Sequence, residues 1–139
     1  FADKKVVDFG CGSGILGIAA LLLGAESVIG IDNDPQALLA SQDNVERNQL
    51  PADKFPVFLP EDTPNEQVDI VLANILAQPL HDLRDNIAQL LKPKGKLILS
   101  GILEHQAAAL ATHYETAFEM DPPCTEDGWV RLTGTKKDR

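Results

Sequence analysis

The sequence predicts an α/β fold built on a mostly parallel sheet, and three observations carry that prediction. Short apolar runs of strand length alternate with longer stretches of helical period, and a glycine-rich turn joins the first run to the first helix. The last two runs are separated by a polar, proline-containing connection of hairpin type. Strands this apolar belong in a sheet with helices on both faces.

The first strand spans Lys5 to Phe9 and the first helix Gly14 to Leu23, with Gly24 as the helix C-cap. A second strand, Ser27 to Asp32, ends in an acid. Asp34-Pro35 then reads as an N-cap followed by proline at the first helical position, opening an amphipathic helix over Gln36 to Asn48 that Leu50-Pro51 ends. Phe55 to Leu59 is a short third strand, Pro60 to Gln67 a polar loop, and Val68 to Ala73 a fourth strand. Leu80 to Leu91 is helical, Lys92 to Gly95 a turn, and Lys96 to Ser100 a fifth strand. After a helix over Glu104 to Tyr114 come two final strands, Ala117 to Met120 and Trp129 to Thr135, joined through Asp121 to Gly128. Trp129 reads as hairpin packing, and Lys136, Lys137 and Arg139 as a frayed basic tail.

With 139 residues the chain is one domain with enough apolar content to bury a core. Its formal net charge of −9 argues against nucleic acid as the main partner and favours a basic protein or a small amine. Cys11 and Cys124 lie far apart with no metal-ligand spacing around them, so neither metal nor a disulfide is expected, and reduced thiols suit the cytoplasm. The longest apolar stretch, Ile15 to Leu23, is too short to span a bilayer, and no membrane association is expected. A monomer is the expected state. Because Phe1 leads straight into the first strand, the chain is expected to be the catalytic part of something longer.

The glycine turn reads Asp8-Phe9-Gly10-Cys11-Gly12-Ser13-Gly14. Glycine lets the backbone turn sharply and lets a ligand lie against the main chain, at the carboxyl end of a strand where open α/β sheets bind ligands. Gly12-Ser13-Gly14-Ile15-Leu16-Gly17 also satisfies the dinucleotide pattern Gly-x-Gly-x-x-Gly, which would report NAD. Asp8 argues otherwise, because a dinucleotide seats its pyrophosphate on the helix N-terminus and a carboxylate there repels it. S-adenosylmethionine has no phosphate and carries a sulfonium and an ammonium, which a carboxylate attracts. Asp32, about 20 residues past the turn, is placed to accept hydrogen bonds from ribose hydroxyls, a contact that serves any adenosine cofactor. Glu61 and Asp62 follow the third strand and are either adenine contacts or solvated loop acids.

At the end of the fourth strand the chain reads Ala73-Asn74-Ile75-Leu76-Ala77-Gln78-Pro79-Leu80. The Asn74 amide offers one acceptor and two donors, so its oxygen can orient an attacking amine, or the residue can simply start the turn into the next helix.

Five strand-helix units closed by a hairpin resemble the Rossmann-like class I S-adenosylmethionine-dependent methyltransferase fold, with seven strands, mostly parallel, and an antiparallel final strand. Asn-Ile-Leu-Ala-x-Pro-Leu, with Asp-Phe-Gly-Cys-Gly-Ser-Gly and Gly-Ile-Asp-x-Asp-Pro-Gln-Ala, resembles the catalytic domain of the PrmA family of bacterial ribosomal protein methyltransferases. That resemblance implies methyl transfer from S-adenosylmethionine to lysine and N-terminal amines of the stalk-base protein of the large ribosomal subunit. It also implies a separate N-terminal recognition domain and a Gly-Thr-Gly-x-His-x-Thr stretch, both upstream of Phe1. The expected donor-binding residues are Asp8, Gly10, Cys11, Gly12, Asp32, Asn33 and Asn74, with Asn74 also catalytic. Ile75 and Leu76 stand where amide-methylating relatives have two prolines, which leaves a wider site suited to a flexible amine. A small-molecule or different protein substrate is the alternative reading, and an NAD-binding oxidoreductase domain a more distant one.

Transfer from a sulfonium to an amine needs alignment more than a strong base. No residue is an obvious general base. His81, on the helix just beyond Asn74, and His105 and His113 on a later helix all read as surface residues.

Overall fold

Lys5–Phe9 (β1) and Ser27–Ile31 (β2) pair in parallel in the computed structural model, which describes residues 3–75 and 77–137. The chain forms two compact units, one ending at Val68 and one beginning at Asp69.

In the first unit, β1 and β2 run in register from Lys5 opposite Ser27 to Phe9 opposite Ile31, and Val57–Phe58 (β3) adds to β2, also in parallel. The central residues Val6, Val7 and Asp8 are all buried, as a strand covered on both faces requires. Helix α1 (Ile15–Leu22) ends where Gly24, at φ +104°, turns the chain left-handed and Ala25 donates its amide to the Ala20 carbonyl, the expected cap. Helix α2 (Pro35–Arg47) opens as expected: the Asp34 side chain accepts from the Gln36 amide at 2.9 Å, and Pro35 needs no donor there.

The third strand is shorter than the expected span of Phe55 to Leu59. Phe55 instead turns inward, 2% exposed, and its ring packs where Cβ atoms on Gly17 of α1 and Gly30 of β2 would stand, at 2.5 and 2.7 Å. The two glycines let the helix and strand close on one aromatic ring. The loop from Pro60 forms a single 3-10 turn over Pro60–Asp62.

The second unit contains β4 (Val68–Asn74) from Asp69 onward, α3 (Ala77–Asp82), α4 (Arg84–Leu90), β5 (Leu91–Leu103), α5 (Glu104–Tyr114), β6 (Phe118–Met120), β7 (Cys124–Glu126) and β8 (Trp129–Lys136). β8 is antiparallel to β5 along one edge and to β6 and β7 along the other. Leu80, Ile87, Leu91, Leu97, Leu99, Ile102, Tyr114 and Leu132 are fully buried. Tyr114 satisfies its hydroxyl by donating to the Leu80 carbonyl at 2.6 Å.

Four expectations need correction here. The helix expected over Leu80 to Leu91 is two helices broken at Leu83, whose backbone departs to φ −97° and ψ 3°; Arg84, the first residue of the second helix, donates from its guanidinium to the His113 carbonyl at 3.3 Å. The turn at Lys92 to Gly95 lies within β5, as a kink at Lys94 with φ +67°. That strand also runs past Ser100, because Gly101, at φ +80°, sits in an irregularity of the β5–β8 ladder that lets pairing resume at Ile102. Finally, the hairpin connection holds an additional strand, β7, joined to β8 by Asp127-Gly128 with φ +52° and +82°, the two positive values of a type I′ turn.

Candidate functional site

Gly10, Gly12 and Gly14 take φ of +75°, +55° and +84°, conformations open to glycine and strained for other residues. The turn is anchored on two sides. The Gly10 and Cys11 amides donate to the Ile31 carbonyl at the end of β2, at 2.7 and 3.0 Å. From α2, Ser41 Oγ donates to the Gly12 carbonyl and Asn44 Nδ2 to the Ser13 carbonyl, both at 2.8 Å.

Asp32, half-buried, clamps the same turn. One carboxylate oxygen accepts from the Gly12 amide at 2.9 Å and the other from the Asp34 amide at 3.0 Å. A carboxylate offers roughly four acceptor positions, so each oxygen keeps a lone pair beyond these bonds. Asn33, between the two acids, is exposed.

Asp8 is 1% exposed and accepts from the Gly17 amide at 3.0 Å. Gly17 is the third residue of α1, whose N-cap, Gly14, has no side chain to offer, so a carboxylate from β1 caps the helix in its place. Burial pushes the Asp8 carboxyl up to about 7, against a lowering by the Gly17 bond, with the nearby negative charge of Asp32 raising it further. Cys11 is buried, and its thiol is pushed up to about 11, chiefly by burial. That leaves it a packing residue, with Ser41 Oγ 3.5 Å from its Sγ.

Gly12 faces open space: a Cβ there would meet nothing within 4 Å, whereas one on Gly14 would stand 3.1 Å from Ser41 Oγ. The turn therefore offers bare backbone beside a carboxylate with spare acceptor capacity. Asp8, Gly10, Cys11, Gly12, Asp32 and Asn33 are thus brought together in the first unit.

Asn74 belongs to the second unit, at the exposed end of β4. A Cβ on Gly101 would stand 2.9 Å from Asn74 Oδ1 and 3.3 Å from the Ile75 carbonyl, so the glycine in β5 makes room for the amide. Leu76, within the Asn-Ile-Leu-Ala segment, lies outside the described residues, as do Phe1 and Arg139.

Other candidates fall differently. Glu61 and Asp62 are exposed on their 3-10 turn, and His105 is exposed. His81 is exposed, but His113 is half-buried and stacks on it with ring centroids 3.7 Å apart, a pairing of α3 with α5 that local sequence does not reveal. Lys136 is not frayed: it sits in β8 opposite Phe118, and its Nζ donates to the Leu91 carbonyl at 2.6 Å, with burial lowering its pKa. Trp129 is 52% exposed and so does not pack into the hairpin as expected. Ser41, Asn44 and Gly101 were not anticipated as site residues. Ser41 and Val45 are the buried residues of α2, so a polar residue on the helix's apolar side was the available signal. No helix among the described residues is long and apolar enough to cross a membrane.

The parallel β1–β2–β3 ladder, the glycine turn and the antiparallel closing strand define the class I S-adenosylmethionine-dependent methyltransferase fold. The RNA methyltransferase of Salinibacter ruber, solved with S-adenosyl-L-homocysteine, has the same fold at TM-score 0.76 over 98% of this chain and 82% of its own, with 16% identity. A ribosomal protein L11 methylase structure from Lactobacillus delbrueckii subsp. bulgaricus matches at TM-score 0.88 and 32% identity, covering 96% of this chain and 70% of that one. The ribosomal protein L11 methyltransferase of Cellvibrio japonicus (strain Ueda107) is 57% identical over 136 residues, 98% of this chain and 46% of that protein. The family described as ribosomal protein L11 methyltransferase (PrmA) matches residues 2–137, and the chain belongs to that family. It spans about half the length of the curated relatives it matches.

Proposed function

We propose that this chain is the catalytic domain of a protein N-methyltransferase that moves methyl groups from S-adenosylmethionine to lysine and N-terminal amines of ribosomal protein L11, with substrate recognition by a further domain. The 57% identity with the Cellvibrio japonicus enzyme across nearly all of this chain carries the substrate assignment. The chemistry of the turn supports the donor. A buried carboxylate, Asp8, caps the helix on which a dinucleotide would seat its phosphates, and this disfavours NAD.

In this reading Asp32 accepts from ribose hydroxyls with the lone pairs that Gly12 and Asp34 leave to it, while the turn of Gly10, Cys11 and Gly12, open at Gly12, lets the donor lie close. Asn33 borders the ribose, and Asp8 contributes a negative field beneath the turn. The bound donor supplies a methyl group on a sulfonium, a good leaving group. Asn74 holds the attacking amine by accepting from its N–H, which fixes the direction of the nitrogen lone pair. A lysine amine, with a reference pKa of about 10.4, must give up its proton before it attacks, and desolvation against Ile75 favours its neutral form.

The test is calorimetric titration with S-adenosylmethionine, S-adenosylhomocysteine and NAD, followed by transfer of labelled methyl to purified ribosomal protein L11. Binding of the adenosyl ligands and labelling of L11 are expected. Binding of NAD alone would overturn the donor assignment, and adenosyl binding without labelling in the full-length protein would overturn the substrate.

A further inference from the structure

Across one face of the second unit's antiparallel ladders runs a row of directly opposed residues: Glu126 on β7, Trp129 on β8 and Leu103 on β5. Opposed residues in such ladders share a face, with Cβ atoms about 4.5–5.5 Å apart. Trp129 is 52% exposed and Leu103 37% exposed, so the row presents an aromatic face and an aliphatic side chain to solvent. Acids surround it. Glu126 ends the row, Asp127 occupies the exposed turn between β7 and β8, and Glu104 is brought to the same tip because its amide donates to the Gly128 carbonyl at 3.0 Å. Arg131, the next residue along that face of β8, stands opposite Cys124 and away from the tip.

The row lies close to Asn74. Leu103 is two residues beyond Gly101, where a Cβ would lie 2.9 Å from Asn74 Oδ1, and two residues of chain span at most about 7 Å. We propose that Glu126, Trp129 and Leu103, with Glu104 and Asp127, form a docking surface for a lysine-rich segment of the protein substrate. The proposal rests on the reading of the chain as a protein amine methyltransferase. A lysine suits each part of the surface: its ammonium is attracted by the face of an indole and by carboxylates, and its methylene stem lies along apolar side chains. A neighbouring lysine held here leaves the target amine within reach of Asn74.

Trp129 is the single tryptophan of the chain, so its emission reports on this surface alone. The chain would be titrated with a synthetic peptide of alternating lysine and alanine and with the same peptide fully acetylated on its lysines. A saturable change in emission with the first peptide, at least tenfold weaker with the second, is expected. Glu126→Gln with Asp127→Asn should weaken binding at least fivefold, the asparagine tolerating the left-handed backbone at position 127. Asp43→Asn with Glu46→Gln, which removes equal charge from the exposed side of α2, should change it less than twofold. Unmoved emission, equal response to the acetylated peptide, or equal weakening by the two double variants would overturn the proposal. So would emission that changes with protein concentration alone, since that assigns the surface to a second copy of the chain. Titration of the same samples with S-adenosylhomocysteine tests the donor site separately, so a failure there counts against the methyltransferase reading and leaves the peptide result standing.

Discussion

The Asp8 carboxylate and the Gly17 amide, nine residues apart in sequence, meet at 3.0 Å in the interior of the first unit, so that strand β1 caps helix α1. The bond satisfies an amide at the helix start, but it leaves a carboxyl group almost without solvent.

A stability profile against pH follows from that burial. The folded Asp8 titrates near 7, above the ordinary 3.8 that the unfolded chain retains, so between these values the folded chain keeps a proton that the unfolded chain has released. Stability from this group is therefore full below about pH 4 and is lost as pH rises through 7, by on the order of 4 kcal/mol. Asp8→Asn keeps an acceptor for Gly17 and removes the titration. Urea midpoints measured from pH 4 to 8 should show the variant gaining on the parent as pH rises, and parallel curves would contradict the assignment.

Donor affinity should depend on charge at the same residue. A cation bound near Asp8 favours its ionised form, so S-adenosylmethionine should bind more tightly as pH rises through 7. The product, S-adenosylhomocysteine, lacks the sulfonium and should show a shallower rise. In Asp8→Asn both slopes should flatten and the donor's advantage over the product should shrink. Calorimetry at three pH values separates these outcomes, and an unchanged ratio of the two affinities would assign Asp8 to helix capping alone.

Asp32→Ala removes a carboxylate that accepts from both Gly12 and Asp34. Hydrogen bonds to a charged group contribute about 1.5–3 kcal/mol each, and the turn loses two of them besides the proposed ribose contact. The affinity for S-adenosylhomocysteine should fall at least tenfold. Retained affinity would mean that the turn is held by Ile31, Ser41 and Asn44 without help from the acid.

Gly17 and Gly30 share one aromatic neighbour. A methyl group at Gly17 would lie 2.5 Å from Phe55 Cζ and one at Gly30 2.7 Å from Cε1, closer than packed atoms tolerate. Gly17→Ala should cost about 1–3 kcal/mol by overpacking. Phe55→Leu opens space at both positions, so the double variant Gly17→Ala/Phe55→Leu should be more stable than the sum of its parts. Thermal melts of the four proteins form the cycle, and additive effects would place the strain elsewhere.

The residues that could be read from sequence are those whose chemistry is local. The glycine turn shows in its own residues, the acid following β2 in its place at the end of an apolar run, and the Asp34-Pro35 helix start in a cap only two residues away, and each is found where it was expected. Residues acting across the chain were missed. Ser41 and Asn44 hold carbonyls about thirty positions earlier, and only the burial of a serine beside Val45 hinted at it. The break at Leu83 has no proline or glycine to announce it, and the bond from Arg84 to the end of α5 that accompanies it joins residues far apart in sequence. Strand β7 was legible in principle, since Asp127-Gly128 is a strong two-residue hairpin signal, but the prolines before it drew the whole segment into a loop. The fifth strand read as ending at Ser100, when Gly101 beyond it is an irregularity within the strand.

Gly101 also supplies the sharpest test of the role proposed for Asn74. Its φ of +80° is strained for any side chain, and a methyl group would stand 2.9 Å from Asn74 Oδ1. The left-handed backbone costs a non-glycine residue about 1–2 kcal/mol. The larger consequence of Gly101→Ala is displacement of the amide proposed to orient the attacking amine, where small misplacements are amplified in rate. In the full-length enzyme kcat for methylation of ribosomal protein L11 should fall at least tenfold, while the affinity for S-adenosylhomocysteine, measured on the same protein, changes less than threefold. Asn74→Ala should produce a similar loss, and adding Gly101→Ala to it should cost little more, because the group being displaced is already gone. Independent, multiplying losses would show that Gly101 acts on the fold of β5 and not through Asn74.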